Sequence, residues 1–104
     1  MVGEASDGLE GVRKVEESQP DLILLDIGLP ALNGIEAARR ILDVSPATKI
    51  LFASVDRSRD TVDRALHTGA NGYLLKSRAA TELLPAIEAV LEGRRFLSND
   101  LAGR

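Results

Sequence analysis

Leu22-Ile23-Leu24-Leu25 is an unbroken apolar run closed by a carboxylate at each end, Asp21 before it and Asp26 after it. A half-exposed strand alternates apolar and polar residues. This run does not, so it reads as a strand buried on both faces, as in a parallel sheet. Two further segments share its character: Lys49–Ser54, apolar through Ile50-Leu51-Phe52-Ala53, and Gly72-Tyr73-Leu74-Leu75. Upstream, Val2–Ala5 is a brief extended segment closed by the turn-forming Ser6-Asp7-Gly8.

Amphipathic stretches separate the runs. Leu9, Val12 and Val15 recur at helical spacing until Gln19-Pro20 stops them. Ile35, Ala38, Ile41 and Leu42 mark a second helix after Asn33-Gly34, broken by Pro46. Val62, Ala65 and Leu66 mark a third, with Gly69 as its left-handed cap. A fourth is predicted over residues 80–92, with Leu83, Leu84, Ile87, Val90 and Leu91 as its apolar stripe. Pro85 predicts an irregular first turn there, and Gly93 caps the end. Strands alternating with helices define an α/β fold, a doubly wound parallel sheet covered on both faces. Four strands are counted. Residues 1–92 form the domain, and 93–104 a polar tail or the start of a linker, with one apolar pair, Phe96-Leu97.

The chain's 104 residues suit one domain. With no cysteine, disulfides, thiolate zinc sites and cysteine nucleophiles are excluded. A net charge of −3, a pI near 5.1 and a single Tyr with no Trp argue against direct nucleic-acid contact. No apolar run approaches the roughly 18 residues of a membrane span, and Met1-Val2-Gly3-Glu4 lacks the features of a signal peptide. A cytoplasmic location is expected, with no membrane partner.

Ligands and chemistry gather at the carboxyl ends of parallel strands. Asp26, Ser54 and Lys76 stand at three such ends. Any parallel sheet has polar residues where strands meet loops, and one of them alone would carry no argument. Together they would form a compact site for a phosphoryl group. The carboxylate attacks phosphorus to give an acyl phosphate, the hydroxyl donates to one phosphoryl oxygen, and the ammonium neutralises another. His67 reads as a surface residue near a helix C-terminus.

Asp26-Ile27-Gly28-Leu29-Pro30-Ala31-Leu32-Asn33-Gly34 resembles the loop after the phosphoacceptor strand of bacterial response-regulator receiver domains. Lys49-Ile50-Leu51-Phe52-Ala53-Ser54 is similar to the strand ending in that family's switch Ser/Thr, and Gly69-Ala70-Asn71-Gly72-Tyr73-Leu74-Leu75-Lys76 to the segment ending in its lysine. Val2-Gly3-Glu4-Ala5-Ser6-Asp7-Gly8 resembles the family's second strand and turn. Leu91-Glu92-Gly93-Arg94-Arg95-Phe96-Leu97-Ser98 resembles members with a LuxR-type helix-turn-helix output domain. The resemblance implies a flavodoxin-like receiver fold in two-component phosphorelay signalling and transcription regulation, not an enzyme. It implies Asp26 as phosphoacceptor, Ser54 and Tyr73 as switch residues, and Lys76 with Ser54 as phosphate-binding. Asp26 and the backbone carbonyl of Gly28 are implied as metal ligands for Mg²⁺. Pro30 and Gly34 look structural. A sensor histidine kinase is the implied partner, and DNA is reached only through an output domain.

The family's first strand and helix, with the acidic pair that ends that strand, have no counterpart in this sequence, so Mg²⁺ binding is in doubt. A pseudo-receiver acting as a protein-interaction module is therefore the second reading. A free-standing hydrolase with an aspartate nucleophile is weak, because Gly28 stands where the haloacid-dehalogenase pattern places its acid. In the family the missing strand lies beside the one matched by Leu22–Asp26. One edge of that run is left without its neighbour, and strand replacement or self-association is the expected relief.

Overall fold

The computed structural model describes residues 1–28, 32–99 and 101, and for Leu32 and Asn33 the backbone alone. Pro30 lies outside the described residues. The elements follow in the order β1 (Val2–Ala5), α1 (Gly8–Ser18), β2 (Leu22–Asp26), α2 (Leu32–Val44), β3 (Lys49–Ser54) and α3 (Arg59–His67). Then come β4 (Gly72–Leu75), a 3-10 turn (Lys76–Arg78), α4 (Ala79–Leu91) and β5 (Phe96–Leu97). All five strands are parallel and lie in the sheet in chain order.

The sheet holds one strand more than the sequence predicts, because Phe96-Leu97 pairs with Gly72 and Tyr73. Phe96 N–H donates to the Asn71 carbonyl at 3.0 Å and Ser98 N–H to the Tyr73 carbonyl at 3.2 Å. Two residues are too short for any periodicity to show. The edge of β2 expected to be open is paired: β1 lies directly against it, Val2 opposite Leu22 and Ala5 opposite Leu25.

Period-two alternation then divides the buried strands between two cores. Ile23, Leu25, Ile50, Phe52 and Tyr73 face α1, α2 and α3. Leu22, Leu24, Leu51, Ala53 and Leu74 face α4 through Ala86 and Val90. The strand order advances in one direction throughout, yet α4 lies on the face opposite α1, α2 and α3. The β4–α4–β5 connection therefore has the opposite hand to the three before it.

The apolar stripe of the last helix differs from the predicted one. Glu82, Ala86, Ala89 and Val90 are buried, while Leu84 is 71% and Leu91 44% exposed. Leu83, Ile87 and Val90 of the predicted stripe do pack on the sheet beside the small Ala86, whereas Leu84 and Leu91 are turned outward. Leu9 is likewise exposed, so α1 packs through Val12 and Val15. Pro85 lies inside α4 without ending it. Gly34 is structural in a definite sense: a Cβ there would sit 2.5 Å from Ile27 Cδ1.

Local chemistry sets the helix ends. Asp7 caps α1 by accepting from Glu10 N–H at 2.8 Å, and Glu10 in turn accepts from Ser6 N–H at 2.6 Å. The helix closes at Gln19, whose φ of 42° lies in the left-handed region. A side chain there costs energy that glycine avoids. Gln19→Gly should therefore stabilise the domain by about 0.5–1 kcal/mol, the relief of strain offset in part by glycine's larger unfolded-state entropy. A urea midpoint no higher than that of the parent would show that the cap carries no strain.

Candidate functional site

Asp26 ends β2, with Ala53 opposite it on β3 and Leu74 opposite Ala53 on β4. Lys76 follows Leu74 by two residues, and alternation continued past the end of β4 puts it on the Asp26 side of the sheet. Only the methyl of Ala53 stands in the intervening row, so the lysine reaches across the end of β3. Its Nζ lies 2.5 Å from Asp26 Oδ1, with side chains 36% and 41% exposed. The pair is open to solvent, and a donor can approach it.

Ser54 belongs to the opposite face and is fully buried. Its Oγ accepts from Asp56 N–H at 3.0 Å. Tyr73, also fully buried, donates from its hydroxyl to the Asp56 carbonyl at 2.6 Å, and its ring packs against Phe52 with centroids 6.0 Å apart. Burial raises the Tyr73 pKa and the negative Asp56 adds to this, while a hydrogen bond with Ser54 opposes them. The phenol is neutral and remains a donor. The structure thus brings Asp26 and Lys76 together, and draws Ser54 and Tyr73 into a second corner built on Asp56. Tyr73 is wholly interior. The sequence reading passed over Asp56 in this role; its signal is the Ser54-x-Asp56 spacing, which suits a hydroxyl accepting from a backbone N–H two residues on. His67 is exposed, with Nδ1 2.7 Å from the Asp63 carbonyl of its own helix.

By the family resemblance Asp26 and the Gly28 carbonyl would be the metal ligands, at most two protein groups, and Lys76 already pairs with the Asp26 carboxylate. Among the described residues, no group of three or more His, Asp or Glu side chains gathers. A hard cation takes six or more oxygen ligands. This donor set by itself does not make a magnesium pocket. Among the described residues, no helix is long and apolar enough to cross a membrane.

Residues 1–88 match the family model for the response regulator receiver domain. The chain is 40% identical over 101 residues to the nitrate/nitrite response regulator protein NarL of Escherichia coli, covering 97% of this chain and 47% of that protein. It is 38% identical over 104 residues to the transcriptional regulatory protein LiaR of Bacillus subtilis, covering 100% and 49%. Among solved structures, a LuxR-family two-component response regulator from Aurantimonas superposes with a TM-score of 0.83 at 38% identity, covering 94% of this chain and 70% of that one. The chain belongs to the response-regulator receiver family. It spans about half the length of the curated relatives it matches. Receivers as a family are phosphorylated by sensor histidine kinases and generally use Mg²⁺ for that step.

Proposed function

We propose that this chain is a phosphoryl-accepting signal receiver, and that the Asp26–Lys76 ion pair carries its chemistry. The incoming phosphoryl group comes from a phosphohistidine on a sensor histidine kinase, and the receiver meets it in the cytoplasm. An Asp26 carboxylate oxygen attacks phosphorus, the P–N bond breaks with its electron pair going to the imidazole nitrogen, and that nitrogen takes a proton from solvent. Lys76 then leaves the carboxylate for a phosphoryl oxygen, where its charge offsets the developing negative charge. Ser54 would give up Asp56 and Tyr73 to donate to a second oxygen. Tyr73 would then change its packing, altering the surface around β4 and α3. Control of transcription follows through an output domain, as the names of the relatives suggest.

The thin metal donor set favours a second reading, a pseudo-receiver that binds partners without phosphorylation. Incubation with a small-molecule phosphodonor and Mg²⁺, followed by borohydride trapping and peptide mass spectrometry, separates the two. The receiver reading expects label on Asp26 and none in Asp26→Asn. Absence of label in the chain, and in a longer protein that contains it, would leave only the interaction module.

A further inference from the structure

Lys76 stands on a 3-10 turn of three residues. A turn that short has almost no hydrogen-bond ladder of its own. The direction of the lysine must be fixed from outside. Two contacts bracket it. In front, Leu75 N–H donates to Ser98 Oγ at 2.8 Å, continuing by a side chain the ladder that the backbone of β5 ends at Tyr73–Leu97. Behind, Arg78 Nε donates to Glu82 Oε2 at 3.1 Å.

These two anchors are joined. Asn99 N–H donates to the same Glu82 oxygen at 3.2 Å. Burial raises the Glu82 pKa, but the Ser98 hydroxyl, the Asn99 N–H and Arg78 together outweigh it and hold the carboxyl below the ordinary glutamate range. Ser98 is fully buried and Glu82 only 7% exposed. Glu82 Oε1 is buried with no partner among the described residues. A buried carboxylate is costly to keep unless it is paired, and here Arg78 and Asn99 supply donors that helical packing alone would not.

We propose that Glu82 and Ser98 are positioning residues for Lys76: they pin the turn on which the lysine stands and tie it to the segment that follows β5. The consequence for phosphoryl transfer rests on the reading of Lys76 given above, whereas the contacts themselves do not. When the lysine shifts from Asp26 to a bound phosphoryl group, Leu75 and Arg78 carry the movement to Ser98 and Asn99. The exit of the chain from the sheet then responds to the state of Asp26.

NMR of the whole chain tests this in Glu82→Ala, Glu82→Gln, Ser98→Ala and Asp26→Asn. Ser98→Ala should speed amide exchange at Leu75 about tenfold or more, and Glu82→Ala should do the same at Asn99. In both, the Lys76 Cε resonance should move towards its position in Asp26→Asn, where the ion pair is broken. Glu82→Gln, which keeps an acceptor for Arg78 and Asn99, should move it less. If Glu82→Ala does not fold, Glu82→Gln and Ser98→Ala carry the same comparison. A Lys76 resonance unmoved in folded Ser98→Ala and Glu82 variants, with exchange accelerated, would reduce the pair to a structural clasp and overturn the proposal. Failure of Asp26 to take label, with the Lys76 response intact, would count against the receiver reading and leave the positioning role standing.

Discussion

Phe52→Ala should destabilise the domain by about 3–5 kcal/mol. Phe52 is fully buried in the centre of β3, and its ring lies on Tyr73 and near the start of α2 at Gly34. Truncation leaves a cavity bounded by two strands and a helix, none of which can close in without disturbing its own pairs. A typical domain has only about 5–15 kcal/mol in all, so the variant should lose a large share of its stability. Urea denaturation, with the slope held common to parent and variant, reads the difference. A loss below about 1 kcal/mol would show that this core collapses more readily than its close packing implies.

Lys76→Ala should behave in the opposite way, with a large effect on chemistry and a small one on stability. The ion pair with Asp26 is more than a third exposed on both sides, where such pairs contribute about 0–1 kcal/mol. In the proposed transfer the same ammonium meets the charge developing on a phosphoryl oxygen. Loss of one such fixed donor slows related reactions about 10²–10³-fold. Labelling of Asp26 by a small phosphodonor should therefore fall by about two orders of magnitude while the urea midpoint hardly moves. Equal rates for parent and variant would remove Lys76 from the transfer step.

These two residues also mark what could be read without a structure. Phe52 lies in an apolar run whose burial on both faces is written locally, in unbroken hydrophobicity between polar ends. Asp26 and Lys76 were legible for the same reason, since the end of such a run is where a parallel sheet exposes its chemistry. Properties set at a distance were not. Tyr73 is interior because Asp56, 17 residues away, offers its hydroxyl an acceptor. Glu82 belongs to the buried face because Ser98 and Asn99 return to meet it, which no helical periodicity reveals. Leu84 and Leu91 count as core by residue type and are surface by geometry. The position of β1 beside β2 is likewise a choice among neighbours, decided by what else the sheet contains.

The reversed hand of the β4–α4–β5 connection bears on how the molecule comes apart. The natural twist of a strand favours the other hand in about 98% of parallel crossovers, so backbone geometry alone does not deliver the last strand to its place. It is held by two ladder pairs and by side-chain anchors, Leu97 and Leu101 against one core and the Glu82 network at its end. Such an element is the natural unit of sub-global opening, which costs less than unfolding the whole. When it peels away, β4 becomes an edge and the remaining strands keep their order. The domain thus has one margin sewn with few stitches, and its seam runs past Lys76, the ion-pair partner of Asp26.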